Sequence, residues 1–383
     1  MKMKRVLIVF FCCLSLSAYS QNSDPFAAVN DTSYFNGYLK LKTDKSLYLN
    51  TSYESIYWQA YGTLYSFLGR YDEAKVGYDN RYDQTTLYKE DLNLDGKQSS
   101  QEELNKLYSK FNVCMINEAH HMAQNRAFMY SQLKHLKKAG YKYLAIEALN
   151  AGIYMDSTLV DRGYPLVQKT GVYISEPIFG MLIRQALELD FILIPYESYE
   201  KERELGEANN IYKLYDPEKG KLVVYAGYGH ICEDETSPYM ASILKGLLKE
   251  DFLTITQTLP KQCKPITDGN DTCKFYLLPR SNECYDYTVI PNLQASATNI
   301  PYWYDWMNCT YQKLKSFYKP ELTSPSLVQL FRAEECENAV PVYQYLIEKD
   351  DEQDITLPFI TKGNYRLVIV SEDKIVKKEI FVD

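Results

Sequence analysis

Histidine is scarce in this sequence, and its placement is informative. There are four histidines against 36 tyrosines. Three of the four come shortly after apolar runs of the chain, namely His120, His121 and His230. Glutamates follow similar runs at Glu118, Glu147 and Glu197. An imidazole can take a proton from water when a carboxylate orients its other ring nitrogen, and imidazole with carboxylate also ligates divalent metals. These residue types therefore predict hydrolytic acid–base chemistry or a metal site.

The elements that must position these residues alternate between residue 111 and about residue 257. Apolar runs predict strands at 111–116, 141–146, 190–195 and 221–226. Helical spacing predicts helices at 125–140, 176–188, 202–215 and 238–248. This alternation indicates an α/β fold, with a mostly parallel sheet and flanking helices. Because the carboxyl ends of parallel strands lie at one edge of a sheet, the four segments should bring their ionisable residues together.

The chain divides into four predicted parts. Residues 1–20 have a basic start, an apolar run and a small-residue end, which predicts a cleaved signal peptide and a secreted or periplasmic protein. Cys12 and Cys13 follow phenylalanines, which disfavours a lipid-anchored cysteine. The other predicted parts are an N-terminal helical region at 21–109, the α/β domain with an irregular cap at 110–319, and a small β-sandwich-like module at 320–383.

Composition excludes several classes of partner. The net charge of -8 argues against nucleic acid and anionic membranes, and 46% apolar residues argue against disorder. No run after the signal approaches the length of a membrane span, so a small-molecule ligand is the expected partner. Seven cysteines remain after the signal, an odd number. We expect a local disulfide among Cys263, Cys273 and Cys284, and a buried thiol at Cys114.

Residues 57–78 resemble one tetratricopeptide unit, with small residues where two helices would pack closely. The motif occurs once, and Arg81 stands at a position usually taken by a small residue. Two interpretations remain open. The segment is a helical hairpin packed on the main domain, or it is a repeat that binds a protein partner.

Residues 91–102 fit the spacing of an EF-hand calcium loop, in which several oxygens converge on a hard cation. The predicted calcium-loop positions are Asp91, Asn93, Asp95, Lys97 and Glu102. Leu94 and Gln98 depart from the usual residue types, and there is one such loop. The alternative is an acidic turn that caps the helix beginning at Gln101.

The strand-end residues also resemble a known superfamily. The run Asn-Glu-Ala-His-His at 117–121 resembles the GExxH or GExH opening of the erythromycin esterase and ChaN-like superfamily, which includes TraB/Tiki-type proteins. The segment at 225–231 resembles its late strand, which ends in a glycine–histidine motif. Arg203 and Glu204, with Asn209 or Asn210, resemble its helix that begins with arginine and carries asparagine. The resemblance covers roughly residues 110–260.

The resemblance implies roles for particular residues. It makes Glu118 and His120 the reactive pair, and Glu147 and His230 complete the site. In erythromycin esterases the histidine of the first motif is regarded as the base that activates water. Tiki-type members hold a divalent metal in the same region, and ChaN-like members bind haem or iron. Asn117 replaces the family's glycine, and asparagine is the next most tolerant residue for unusual backbone geometry.

Further residues are predicted to bind substrate. Arg203 or Arg184 suits a substrate carboxylate or a developing oxyanion, and His121 can assist or replace His120. The predicted substrate-binding set is His121, Arg126, Arg184, Glu197 and Arg203. For Glu147 and Glu197 the alternative is a role as helix cap or salt-bridge partner.

Three functional hypotheses follow. The first is an exported hydrolase that uses a strand-end Glu/His site on an ester or amide, with or without a divalent metal. The second is a non-catalytic protein that binds haem, iron or another ligand at the same crevice. The third is a surface interaction protein that uses the hairpin and the C-terminal β module. No GxSxG elbow, dinucleotide fingerprint or phosphate loop occurs in the sequence.

Overall fold

The computed structural model describes residues 24–81, 101–236, 239–258, 274–280, 284–291, 298–349 and 354–383. The predicted signal peptide at 1–20 lies outside these residues. So does the calcium-loop segment up to residue 100, and with it Asp91, Asn93, Asp95 and Lys97.

A helical layer forms the first part of the described chain. Its helices are α1 Phe26–Val29, α2 Tyr34–Thr43, α3 Lys45–Tyr48, α4 Glu54–Phe67, α5 Tyr71–Arg81 and α6 Gln101–Lys110. The tetratricopeptide-like segment is the hairpin of α4 and α5. Gly62 and Gly77 let these helices touch, because a Cβ on Gly77 would lie 2.7 Å from the Gly62 nitrogen. The hairpin packs on the rest of the molecule, since Leu346 N–H donates to Leu68 O and Gln344 donates to Phe67 O.

The centre is a seven-stranded sheet with the strand order β3-β2-β4-β1-β5-β7-β6. Its strands are β1 Val113–Glu118, β2 Tyr141–Ile146, β3 Ile192–Pro195, β4 Lys221–Gly227, β5 Phe252–Thr256, β6 Phe275–Pro279 and β7 Tyr287–Pro291. All neighbouring pairs are parallel except β6 with β7. The flanking helices are α7 Ala123–Lys138, α8 Leu159–Arg162, α9 Pro177–Glu188, α10 Arg203–Leu214 and α11 Met240–Leu248. The predicted α/β class is confirmed.

Burial explains why this sheet forms. β1 is buried along its whole length, as expected for a central parallel strand covered on both faces. One face packs against α7 and α9, and the other packs against α10 and α11. Glu176 begins α9 by accepting hydrogen bonds from the backbone of Ile178 and Phe179.

The C-terminal part consists of antiparallel strands. They are β8 Thr310–Lys313, β9 Ser326–Arg332, β10 Tyr343–Ile347, β11 Thr356–Phe359, β12 Gly363–Ser371 and β13 Ile375–Val382. Four form a sheet in the order β10-β9-β12-β13, and β8 pairs with β11. The bidentate ion pair of Arg184 with Glu335, at 2.7 and 2.6 Å, anchors this module on α9.

Two expectations about residues 260–320 differ from the structure. We predicted an irregular cap there, but β6 and β7 extend the main sheet beyond β5. Cys284 forms a disulfide with Cys232, so a local bridge from Cys284 to Cys263 or Cys273 is wrong, while the remaining pairing of Cys263 with Cys273 lies outside the described residues. The bridge ties the start of β7 to the segment after β4. Cys114 is buried, as expected.

Short 3₁₀ helices fill several connections. Those at Gly152–Tyr154, Tyr173–Ser175 and Tyr228–Ile231 follow strands of the main sheet or precede α9. Within the described ranges, none of the helices is both long enough and apolar enough to cross a bilayer.

Candidate active site

Four strands bring their carboxyl ends to one edge of the sheet. Glu118 ends β1, Glu147 follows β2, Glu197 follows β3 and His230 follows β4. These strands are neighbours in the order β3-β2-β4-β1. Their ends are also in register, because Glu118 lies opposite Gly227 and Ile146 lies opposite both Tyr225 and Pro195. The side chains therefore form two adjoining groups.

The first group is built around the buried carboxylate of Glu118. The guanidinium of Arg126 donates to both of its oxygens, at 2.8 and 2.9 Å, and Tyr225 OH donates at 3.0 Å. Burial alone would raise the pKa of Glu118, but the charge and hydrogen bonds of Arg126, together with those of His120, hold it well below its usual range. Glu118 is therefore a fixed anion at neutral pH.

The ring of His120 is oriented by this anion. Its Nδ1 lies 2.9 Å from Glu118 Oε1. The ring stacks on Tyr173, with centroids 4.2 Å apart and planes 15° apart, and Tyr228 meets it edge-on at 5.2 Å. Because the carboxylate favours a proton on Nδ1, Nε2 is left as the proton acceptor. The side chain keeps some exposure to solvent.

Gly227 gives the imidazole its place beside Glu147. A Cβ at Gly227 would lie 2.6 Å from His120 Nε2 and 3.0 Å from Glu147 Oε2. The φ of Gly227 is -79°, which any residue adopts, so the glycine is needed for space rather than for conformation. The imidazole and the carboxylate are therefore neighbours across the end of β4.

Replacing Gly227 by alanine should disable the site without unfolding the protein. The new methyl group would overlap His120, and a displacement of about 1 Å costs on the order of 10²-fold in rate. The measurement is hydrolysis of any ester or amide that the wild-type protein turns over, alongside the melting temperature. Gly246→Ala is the matched control, because a Cβ there meets nothing within 4 Å. Equal rates for Gly227→Ala and the wild type would contradict this role.

Asn117 has a different role from the one expected. It lies within β1 and does not have a positive φ, so the backbone here is not in the unusual geometry that we expected. Its amide donates to Tyr228 O at 2.7 Å and to Thr256 Oγ1 at 2.9 Å. Asn117 therefore ties the ends of β4 and β5 to β1.

The second group is centred on Arg203, the first residue of α10. Its Nε and Nη2 donate to Glu197 at 2.8 and 2.7 Å, and Nη2 also donates to Glu147 at 2.8 Å. Glu207 Oε1 lies 2.9 Å from the same nitrogen. The Arg203 side chain is 38% exposed, which leaves part of this guanidinium accessible from solvent.

His230 completes this group. Its Nδ1 lies 2.8 Å from Glu204 Oε1, and its Nε2 lies 3.0 Å from Arg203 Nη1 and 3.6 Å from Glu147 Oε1. Burial lowers the pKa of His230, but the nearby carboxylates, Glu204 first, outweigh burial and raise it above its usual value.

Glu147 links the two groups. It accepts a hydrogen bond from the Gly227 backbone and another from Arg203. Burial raises the pKa of Glu147, but the neighbouring imidazoles of His120 and His230 and these hydrogen bonds bring it below its ordinary value. Glu147 is therefore an anion placed between two imidazoles.

Glu204 and Glu207 were missed as site residues. Glu207 had a signal in the sequence, since it lies four residues after Arg203 and residues four apart on a helix share a face; Glu204, next to Arg203, had no such spacing. Glu207 is fully buried, and although its Oε1 lies 2.9 Å from Arg203 Nη2, neither of its oxygens is in hydrogen-bonding geometry with a described residue. Burial raises the pKa of Glu207 to about 8, against the opposing charges of Arg203 and His230. This carboxyl group is therefore largely protonated at neutral pH.

Glu207→Gln should remove a stability loss that the wild type suffers as pH rises. A carboxyl whose folded pKa is about 8 keeps its proton while the unfolded chain loses it above about pH 4.5. Between these values the wild type should lose up to about 1.4 kcal/mol of stability per pH unit relative to the variant. Urea unfolding between pH 5 and 8, with a chelator present, measures the difference in free energy of unfolding between the wild type and Glu207→Gln. Glu379→Gln, at an exposed position, is the control. A difference between the wild type and Glu207→Gln that does not change with pH would contradict the prediction.

The predicted substrate-binding residues do not all lie in the site. His121 stacks on Tyr78 of α5, with centroids 3.7 Å apart, and burial lowers the pKa of His121 to about 3. Arg126 is fully buried between Glu118 and Glu176, so it positions Glu118 and has no surface for a substrate. Arg184 is also wrong as a substrate ligand, because its buried guanidinium binds Glu335 and Val340 O. Glu197 and Arg203 lie in the site, paired with each other.

One calcium-loop residue lies in the described chain. Glu102 is in the first turn of α6, exposed and 3.1 Å from Lys106. Calcium binding by the loop stays a prediction.

Among the described residues, two sets of side chains are close enough to hold a metal ion. One is Glu204, Glu207 and His230, and the other is Glu147, Glu197 and Glu207, each with ligand atoms within 4.8 Å of one another. Carboxylate oxygens with one imidazole suit zinc, manganese or iron. Arg203 Nη2 contacts all three carboxylates of the second set, so an ion there would have to displace the guanidinium.

Comparisons with known proteins leave the family open. No protein-family model matches the chain. No curated protein sequence matches it either.

Solved structures give partial likenesses to bacterial toxins. A structure titled "Bacterial protein toxins" is 15% identical, with a TM-score of 0.32 over 57% of this chain and 47% of the other. The C-terminal region of Pasteurella multocida toxin, described as having a thiol-protease-like catalytic triad, is 13% identical, with a TM-score of 0.34 over 58% and 31%. The toxin effector domain RRSP from Vibrio vulnificus is 17% identical, with a TM-score of 0.30 over 57% and 45%. The chain spans less than half the length of each of these three.

Proposed function

We propose that this protein is an exported hydrolase of an ester or amide, with His120 as the general base. The observation that carries the proposal is the ordered pair of Glu118 and His120, whose Nδ1 lies 2.9 Å from a buried, permanently charged carboxylate. A histidine held in this way is built to accept a proton at its other nitrogen. Its neighbour Glu147 and the cation Arg203 complete the catalytic arrangement.

The reaction follows from these positions. Nε2 of His120 takes a proton from a water molecule, and the water oxygen forms a bond to the substrate carbonyl carbon. Glu118 stabilises the imidazolium, as a carboxylate on Nδ1 does in hydrolase triads. The accessible guanidinium of Arg203 stabilises the oxyanion. The C–O or C–N bond then breaks, and the imidazolium returns its proton to the leaving oxygen or nitrogen.

Membership of the erythromycin esterase and ChaN-like superfamily is part of this proposal. It is supported by the order of the motifs along the chain and by their convergence at one sheet edge, with Glu118 and His120 after β1 and His230 after β4. Export is proposed from the signal-like residues 1–20.

The test is a panel of p-nitrophenyl esters and anilides with the purified mature protein. We expect hydrolysis of at least one member by the wild type and its loss in His120→Ala and Glu118→Ala. His135→Ala is the matched control, since His135 lies on α7 outside both groups. Hydrolysis that survives in His120→Ala would refute the proposed base.

A second candidate is a non-catalytic binder of a divalent metal, iron or haem. The supporting observation is the set Glu204, Glu207 and His230, which places three ligand atoms within 4.8 Å of one another. Manganese, zinc or iron added to chelator-treated protein should then bind with one equivalent, measured by elemental analysis after gel filtration. His230→Ala should lose that equivalent, and His135→Ala should keep it. A haem absorption band that persists after gel filtration would favour the haem form of this candidate, and no retained metal or haem would exclude both.

A further inference from the structure

An apolar surface lies on the loops that leave the site. Ile153 is 92% exposed, Tyr154 58%, Met155 45% and Tyr199 68%. We call these four residues the apolar rim. Tyr154 and Tyr199 meet edge-on with centroids 5.8 Å apart, so the two loops form one surface. Clustered exposed apolar side chains on a folded protein indicate a binding surface.

The loop behind the rim is firmly held. Asn150 donates from its side chain to Gln168 O and Lys169 O, and its backbone N–H donates to Thr170 O. On the other side of the tip, Asp156 accepts hydrogen bonds from Arg162 and Thr170 at 2.6 and 2.7 Å. Hydrogen bonds on both sides of the exposed tip therefore fix the loop, and the apolar side chains of the tip are exposed in an ordered conformation.

The rim is continuous with the site along the chain. Tyr199 is two residues from Glu197, and Ile153 is six residues from Glu147. Six residues span at most about 20 Å, which limits the distance between the Cα atoms of Ile153 and Glu147. The segment that carries Ile153 also carries Tyr173, whose ring stacks on His120. The segment between β2 and α9 therefore carries both the ring that stacks on His120 and the exposed apolar tip.

We infer that the apolar rim binds the aromatic or aliphatic part of the substrate that is hydrolysed at His120. This inference rests on the proposed function and specifies its substrate class as an ester or amide with a bulky apolar group and no negative charge nearby. The charge condition follows from the carboxylates of Glu147, Glu197 and Glu204 at the adjoining site, which would repel an anion.

Other occupants fit less well. Three of the four side chains are between 45% and 68% exposed, and a whole aromatic side chain buries about 150–250 Å². The rim is therefore smaller than the about 800 Å² that each partner of a stable dimer buries. An anionic membrane is disfavoured by the same carboxylates.

The test is binding of N-phenyl-1-naphthylamine, a neutral apolar fluorophore, to the mature protein. We expect fluorescence enhancement with the wild type and about tenfold weaker binding for Ile153→Ser and for Tyr154→Ser, because each loses one apolar contact. Ile375→Ser is the matched control, since Ile375 is 64% exposed at the start of β13. His120→Ala should bind the probe like the wild type, so loss of catalysis and loss of the rim are separate readouts.

The ester panel supplies the second readout. Tyr154→Ser should raise KM for an octanoyl ester more than for an acetyl ester and leave kcat unchanged. Rim variants that bind the probe like the wild type, or an equal loss in Ile375→Ser, would overturn the inference. The inference would also be overturned if the wild type formed a dimer that Ile153→Ser abolishes. The same holds if the wild type floated with phosphatidylcholine vesicles and Ile153→Ser did not.

Discussion

His120→Ala should lower hydrolysis by about 10²–10⁴-fold, the range that a positioned general base contributes. The imidazole has a charged carboxylate at Nδ1, and its Nε2 lies beside Gly227 and Glu147. Alanine removes the proton acceptor but leaves Glu118 bound to Arg126 and Tyr225. The fold should therefore persist, with an unchanged unfolding transition.

The measurement is kcat/KM on the best ester of the panel, compared with His135→Ala. Added imidazole should restore part of the activity of His120→Ala, because a small base can enter the space that the ring leaves. It should not restore Glu118→Ala, in which the ring is present but loses the anion on Nδ1. A loss of less than threefold in His120→Ala would show that another group takes the proton.

The central fold was predictable because its signals are local. Each of the first four strands is an apolar run that ends in polar residues, and the helices between them carry their own spacing. The predicted strand 141–146 matches β2 to the residue. β6 and β7 were missed since each is five residues long, ends in proline and lies in a stretch rich in polar residues. Their place beside β5 depends on tertiary pairing and gives no periodic pattern.

The site was predictable where topology dictates it. Parallel strands must deliver Glu118, Glu147, Glu197 and His230 to one edge, and the structure brings them there. Side-chain partners were not predictable in the same way. The sequence did not indicate that Arg126 would be buried and paired with Glu118. Nor did it indicate that Arg184, on the neighbouring helix, would bind Glu335 from the C-terminal module. The same holds for Cys232 and Cys284, which are 52 residues apart.

Replacing Arg126 by methionine should cost about 3–5 kcal/mol of folding stability, because removal of one partner leaves buried charges without compensation. The guanidinium pairs with both Glu118, at 2.8 Å, and Glu176, at 3.3 Å. Both carboxylates are buried, and burial already raises the pKa of Glu176. The measurement is the free energy of unfolding in urea at pH 7. Lys313→Met, which breaks an exposed pair with Asp354, should cost less than about 1 kcal/mol.

The pH dependence of the loss separates charge from packing. In the wild type the lowered pKa of Glu118 gives stability that is present above its unfolded value and is lost as pH falls. Without Arg126, burial should raise the pKa values of Glu118 and Glu176 above those of the unfolded chain. Both groups then take up protons in the folded variant, so the stability difference between the wild type and Arg126→Met should narrow as pH falls from 7 to 4. Adding Glu118→Gln and Glu176→Gln to the variant should recover part of the stability at pH 7, since the two amides need no cation. A gap that is constant with pH would mean that Arg126 acts through packing, and that the anion orienting His120 does not depend on it.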